Sequence, residues 1–165
     1  MSVQVINAGY EHAQTIHDLA NNIWREHYPG IISKEQIDYM LQSRYAVQYL
    51  KNLMQQGEKF FLCIEDDLPI GFYSYTQRST DYFLNKFYLS KSKHRGGVGT
   101  IMFNHLLTQI EADNVPLRLQ VNRKNLKAIN FYFKQGFVIE EVKDFDIGGG
   151  YLMEDFVMLR ARTES

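Results

Sequence analysis

Asn125 and Tyr132 stand seven residues apart, and seven residues at 3.6 per turn return almost to the same helix face. An amide near a helix start and a phenol two turns later would line one groove, and the small Ala128 between them leaves room for a ligand chain. Taken alone, each has a plain structural reading, Asn125 as a helix cap and Tyr132 as half-buried core. Upstream lies a second constellation, KHRGGVGT (93–100), between an apolar strand-like run and a helical one. The first turn of a helix carries unpaired N–H groups and a partial positive charge, worth roughly 0.3–1 kcal/mol to a nearby anion. Glycines let the anion approach the backbone closely. Gly96-Gly97-Val98-Gly99 therefore suits a phosphate, with His94 and Arg95 at its mouth. There is no Gly-Lys-Ser/Thr ending and no G-x-G-x-x-G, which argues against a P-loop and against a dinucleotide fold. A tight strand–helix connection without a ligand is the competing reading.

The charge distribution points the same way. The net charge of −1 suggests no polyanionic partner, yet residues 86–134 carry nine Lys/Arg against Glu111 and Asp113, a balance of +7. Residues 1–85 and 135–165 each balance to −4. A basic middle between acidic ends suits an anion held by the middle segment, and a solvated basic face is the alternative.

The elements that must position these residues can be traced along the chain. With 165 residues, 45% apolar and 22% charged, the sequence is long enough for one domain, 1–165, and too rich in apolar groups for disorder. SVQVI, within 1–6, alternates as a short strand, and 10–24 places Ala13, Ile16, Leu19, Ala20 and Ile23 at helical spacing. Pro29-Gly30 breaks the chain, Ser33 with Gln36 forms a capping-box pattern, and a further helical run ends at Gly57. KFFLCIED (59–66) and PIGFYSYTQ (69–77) form an antiparallel hairpin around Asp66-Asp67, and NKFYLSK (85–91) is the next strand. A helix from Gly97, a strand LRLQV (117–121), a helix from about Asn125 to Gln135, and strands 137–145 and 152–160 complete the order. Helices, a hairpin and then β-α-β-α-β-β make an α/β or α+β fold with one central mixed sheet.

With these residues in view, the chain resembles a GNAT-superfamily N-acetyltransferase. Its first signature, Gln/Arg-x-x-Gly-x-Gly/Ala, aligns with His94-Arg95-Gly96-Gly97-Val98-Gly99, with His94 departing from the pattern. Its second, Asn-x-x-Ala-x-x-Phe-Tyr-x-Lys-x-Gly-Phe, is matched by Asn125, Ala128, Phe131, Tyr132, Lys134, Gly136 and Phe137. The resemblance covers about 59–160. It implies a mostly antiparallel twisted sheet flanked by helices, with a V-shaped splay between two parallel strands where acetyl-CoA binds as co-substrate. Carried over, Phe87, Tyr88 and Leu89 would bind the pantetheine arm through backbone groups. Residues His94, Arg95, Gly96, Gly97, Val98, Gly99 and Thr100 would hold the pyrophosphate, Asn125 would bind the pantetheine or stabilise the local backbone, and Lys134 with neighbouring cations would offset the remaining phosphate.

The implied chemistry is direct attack of a neutral amine on a thioester in a ternary complex. A backbone N–H at Leu89 would serve the developing oxyanion, and Tyr132 would protonate the leaving thiolate. Candidates for the general base are Glu26, His27, Asp81 and a water chain touching Tyr73 or Tyr75. Trp24, His27, Tyr28, Tyr73 and Tyr75, with Asp144, Asp146, Tyr151 and Asp155, would form an aromatic and acidic acceptor pocket suited to a small, polyamine-like cationic amine.

Other expectations follow from what is scarce. One cysteine, Cys63, cannot form an internal disulfide, sits within a strand, and suits a reducing cytoplasm. No metal site is expected. No run reaches the ~18 apolar residues of a membrane span, and the start lacks a basic region followed by an apolar one. Edge strands near 137–160 are compatible with a homodimer. Two other function classes stay open. One is a non-catalytic acyl-CoA sensor on the same fold, with acetylation of peptide N-termini as a further enzymatic variant. The other is an RNA-binding domain, disfavoured because no aromatic RNA-binding signature is present.

Overall fold

The computed structural model describes residues 2–110 and 114–162. Glu111, Asp113 and Glu164, counted in the charges above, lie outside the described residues. Seven strands form one sheet in the order β1-β2-β3-β4-β5-β7-β6. The strands are β1 (Val3–Ala8), β2 (Lys59–Glu65), β3 (Leu68–Gln77), β4 (Tyr82–Leu89), β5 (Leu117–Asn122), β6 (Val138–Gly148) and β7 (Tyr151–Arg160). The helices are α1 (Ala13–His27), α2 (Lys34–Ser43), α3 (Val47–Gln55), α4 (Val98–Ile110) and α5 (Leu126–Lys134). Every strand pairing is antiparallel except β4 with β5. The mixed sheet expected from the order of elements is what the chain forms.

Local chemistry fixes the elements. Ala13, Ile16, Leu19, Ala20, Ile23 and Trp24 form the buried stripe of α1. The helix begins three residues later than its pattern suggested, because Tyr10–His12 form a 3₁₀ turn first, and it runs on to His27. The Ser33 hydroxyl accepts from the Gln36 N–H at 3.1 Å and caps α2. Asp66 and Asp67 both take positive φ, 49° and 67°, as a two-residue hairpin turn of the twist-matching kind requires.

Side chains alternate across the sheet, so each strand feeds two cores. On one face Phe60, Leu62 and Phe72 pack with α1 and with Leu41, Tyr45 and Leu50. On the other, Phe61, Cys63, Tyr73 and Tyr75 pack with Met102, Phe103 and Leu106 of α4 and with Ile129 and Tyr132 of α5. Burying such a side chain fully contributes about 1.5–3 kcal/mol. Cys63 is 1% exposed and its thiol is pushed up to about 11, first by burial and then by Glu65, so it is no nucleophile.

The feature that shapes the site is a bulge. Ser74 pairs with Lys86 and Tyr75 with Leu84, which leaves Asn85 as an extra residue in β4. The parallel ladder to β5 spans only Tyr82–Leu84 against Leu117–Leu119 and stops at this point. Beyond it the two strands part, giving the expected V. β4 also begins three residues earlier than the sequence pattern placed it, because Tyr82 to Leu84 supply the parallel pairing.

At the closed end of the V, Asp81 is clamped. Its carboxylate receives Arg78 at 2.5 and 2.7 Å and Arg118 at 2.9 Å, and Arg118 also reaches Glu140 at 2.8 and 3.0 Å. The Arg78 bond, opposed by desolvation and reinforced by Arg118, holds the Asp81 carboxyl below its ordinary range. Asp81, expected above as a base candidate, is thereby a structural anion, outside the cavity described next. Its side chain is 2% exposed while Arg78 is largely solvated, so removing the carboxylate strands two cations only in part. Asp81→Ala should cost about 2 kcal/mol, read as a lower urea midpoint at pH 7. Because the folded carboxyl is depressed, the wild-type advantage is present above the ordinary Asp range and fades as pH falls through the folded value.

Candidate active site

The opening of the V leads into a cavity of about 600 Å³ that crosses the sheet. One wall is β4 from Phe83 to Leu89, the facing wall is β5 from Leu119 to Asn122, and Trp24, His27 and Tyr28 of α1 and its C-terminal cap close one side. Past the bulge the β4 main chain has no ladder partner on its β5 side, which leaves backbone donors and acceptors free to pair with an extended ligand.

At one end lies the glycine loop. Gly96 and Gly97 take positive φ, 96° and 82°, a conformation that glycine adopts without strain, and so turn the chain into the start of α4. The first helical bond at this end runs from Ile101 N–H to Gly97 C=O at 3.1 Å. The N–H groups of Val98, Gly99 and Thr100 therefore have no intrahelical partner. Gly97, Gly99 and Thr100 line the cavity, and a Cβ at Gly99 would lie 3.2 Å from the Phe131 ring, close enough that the ring would have to shift. Arg95 and Gly96 are exposed, and the Val98 side chain belongs to the core, so the loop's part is mainly a backbone one. Lys127 and Lys134 of α5 stand at the cavity edge.

His94, the residue that departs from the signature, has a role that the sequence did not disclose. Its Nε2 donates to the Leu89 carbonyl at 2.7 Å and so fastens the loop to the end of β4. Burial, opposed by that bond, and the nearby Lys127 hold the imidazole below its ordinary pKa, so it is neutral. Asn125 does cap α5, accepting from Ala128 N–H at 3.5 Å. Its Oδ1 also accepts from His27 Nε2 at 2.9 Å, a bond joining α1 to α5 across 98 residues. Because Oδ1 is fixed as an acceptor by the helix terminus, the Nε2 of His27 carries the proton. Burial and the neighbouring His94, Lys127 and Lys91 keep His27 neutral, against the Asn125 bond.

Tyr132 is buried on α5 and reaches the same cavity, with its ring edge-on to Phe87 at 6.3 Å and to Phe137 at 5.5 Å. Burial raises its phenol above the ordinary value, so the proton stays on oxygen at neutral pH. Opposite stands an aromatic cluster. The Trp24 ring lies 4.2 Å from Tyr28, 5.4 Å from Tyr45 and 5.7 Å from Tyr88, and the Tyr28 and Tyr88 hydroxyls meet at 3.1 Å.

Several expected site residues fall elsewhere. Tyr73 and Tyr75 do not line the cavity: strand alternation turns both toward α4, where Tyr73 bonds His105 Nδ1 at 2.7 Å and stacks on Phe61. Glu26 is exposed and lies off the cavity wall, as do Asp144, Asp146 and Tyr151. Tyr45, Glu58 and Lys86 do line it and were not foreseen, because a helix junction and a bulge bring them in rather than any motif. Among the described residues, no group of three or more His, Cys, Asp or Glu is placed to hold a metal, and no helix is long and apolar enough to cross a membrane.

Comparison with known proteins agrees with this architecture. Residues 15–137 match the acetyltransferase (GNAT) family. Spermidine N(1)-acetyltransferase of Thermoplasma acidophilum is 24% identical over 160 residues, covering 93% of this chain and 97% of that protein. N-alpha-acetyltransferase 50 of Danio rerio is 30% identical over 107 residues, 60% of this chain and 62% of that protein. The crystal structure of PaiA N-acetyltransferase from Thermoplasma acidophilum in complex with coenzyme A superposes with a TM-score of 0.82 at 24% identity, covering 98% and 99% of the two chains. The chain belongs to the acetyltransferase (GNAT) family. Membership carries the class of chemistry, acyl transfer with acetyl-CoA as donor.

Asp155 completes the cavity wall from β7. It is 6% exposed, and its carboxyl is pushed up to about 6, first by burial, then lowered by Arg123 and raised again by Asp144. A raised carboxyl stabilises the fold fully only at low pH, and that contribution is lost as pH rises from the ordinary Asp range to about 6. Asp155→Asn should therefore be more stable than wild type at pH 8, by up to about 3 kcal/mol, with the gain vanishing near pH 4. Urea unfolding at the two pH values measures it.

Proposed function

We propose that this protein moves the acetyl group of acetyl-CoA to the primary amine of a small molecule by direct attack in a ternary complex. The observation that carries the reading is one cavity lined by Gly97, Gly99 and Thr100 at the start of α4, the unladdered β4 edge and the buried phenol of Tyr132. These residues suit the donor. The glycine loop and the free N–H groups at the first turn of α4 take a diphosphate, and Lys127 and Lys134 offset further phosphate charge. Asn85 to Leu89 offer main-chain groups to an amide-bearing arm, while Phe87, Ala128 and Phe131 exclude water from it. Acetyl-CoA supplies the activated acetyl group as a thioester.

The chain's own residues do the rest. His94 holds the Leu89 carbonyl, which orients the end of β4 beside the reacting centre. Tyr132 holds a proton in a water-poor place and gives it to the departing sulfur. The Trp24, Tyr28, Tyr45 and Tyr88 rings attract an incoming ammonium by cation–π and shield it from water. The relative named for spermidine supports a small amine acceptor.

Thiol release from acetyl-CoA across a panel of monoamines, polyamines, amino acids and peptides tests the reading. Turnover of a small amine is expected, and no turnover of any panel member alongside tight coenzyme A binding would favour the sensor reading. Tyr132→Phe should lower kcat about a hundredfold while leaving the calorimetric affinity for coenzyme A within about twofold.

A further inference from the structure

An amine that reaches a thioester from water at neutral pH arrives mostly as ammonium, and it must lose a proton before it can attack. The residues around the cavity narrow the group that takes it. Glu58 lines the cavity but is spent, receiving Lys86 at 2.8 Å and Ser74 at 2.7 Å. His27 and His94 line it too, but each spends its Nε2–H, on Asn125 and on the Leu89 carbonyl, and burial beside lysines keeps both rings neutral, so their Nδ1 atoms offer an arriving ammonium no opposite charge. The other lining carboxylate among the described residues is Asp155.

Its surroundings are unusual for a structural anion. Asp155 is buried on β7, directly across from Asn122 of β5 and Lys143 of β6. The nearest arginine could have neutralised it and does not. Arg123 places its guanidinium on Asp144 at 2.9 Å and Glu154 at 3.4 Å, and gives Asp155 only a bond to the main-chain carbonyl at 3.0 Å. No cation within ion-pair distance of the Asp155 carboxylate occurs among the described residues. Burying a carboxylate without a cation is costly, so a fold that keeps one facing a cavity leaves room for a cation from outside.

We propose that Asp155 is the general base, binding the acceptor's ammonium in the cavity and taking one proton from its nitrogen. The inference rests on the acetyltransferase reading above. The carboxylate becomes a neutral carboxyl, the ammonium becomes a neutral amine, and the proton then leaves to solvent through the cavity mouth. The second proton that nitrogen loses on forming the C–N bond replaces the one that Tyr132 gives to sulfur as the C–S bond breaks. One proton is released per turnover.

The charged and titratable groups around Asp155 are Tyr28 at the C-terminal cap of α1, Arg123 following β5, Asp144 of β6 and Lys143, the β6 residue paired with Asp155, while Glu154, next to it on β7, turns to the other face. Burial with the Asp144 charge outweighs Arg123 and leaves the carboxyl a stronger base than an exposed aspartate, yet ionised at neutral pH.

The test is kcat/KM for an accepted amine between pH 5.5 and 10, with wild type, Asp155→Asn and Asp155→Glu. At pH 7 Asp155→Asn should lose about a hundredfold or more. The loss should shrink as pH nears the amine's own pKa, where neutral amine arrives from solvent, and Asp155→Glu should recover part of the rate. Coenzyme A affinity within about twofold of wild type in both variants shows that they are folded. Activity of Asp155→Asn within about threefold of wild type at pH 7 would overturn the assignment. So would an equal loss at every pH, which would mark a merely structural role. If wild type acetylates no amine, the acetyltransferase reading falls and the assignment falls with it. If wild type is active and Asp155→Asn is equally so, only the assignment falls.

Discussion

One surplus residue governs this molecule. Asn85 has no counterpart in β3, so β4 bends where it passes, and the parallel ladder to β5 ends after three pairs. A continuous ladder would satisfy the β4 main chain and shut the sheet. The interrupted one leaves polar backbone in a crevice between two cores, where it must find water or a ligand. Asn85 is itself held, its amide donating to Thr76 Oγ1 at 2.7 Å, so the bend is fixed by side-chain chemistry as well as by register.

An open crevice needs bracing, and it comes partly from outside the cavity and partly from groups that line it. Asp81, gripped by Arg78 and Arg118, pins the closed end. His94 ties the loop to Leu89, and His27 ties α1 to the cap of α5. Both imidazoles are neutral for the same reason, burial beside lysines, and both spend Nε2–H on a carbonyl-type oxygen. The site is thus rigid through neutral bonds, while the cations remain at its rim for an anionic ligand.

Much of this was legible in the residues. The glycine loop, the Asn125–Tyr132 spacing and the +7 segment each pointed to the middle of the chain, and periodicity located all seven strands. What was not legible depends on register. Whether Tyr73 or Phe72 faces α4 follows from which face of the sheet each core claims, and two adjacent aromatic residues carry no label for it. The bulge at Asn85 has no sequence signature, so Lys86, Glu58 and Tyr45 entered the cavity unannounced. His94 broke a motif, and only its bond to Leu89 explains how an imidazole serves there. Asp155 was one acidic residue among several near the chain end until Arg123 was found bound to the others.

The seclusion of Cys63 has a practical side. A thiol sealed inside the sheet and held in its protonated form reacts slowly with chromogenic disulfides and maleimides. The native chain therefore contributes almost no background to a colorimetric readout of liberated coenzyme A, and a burst of protein-derived colour would itself report unfolding.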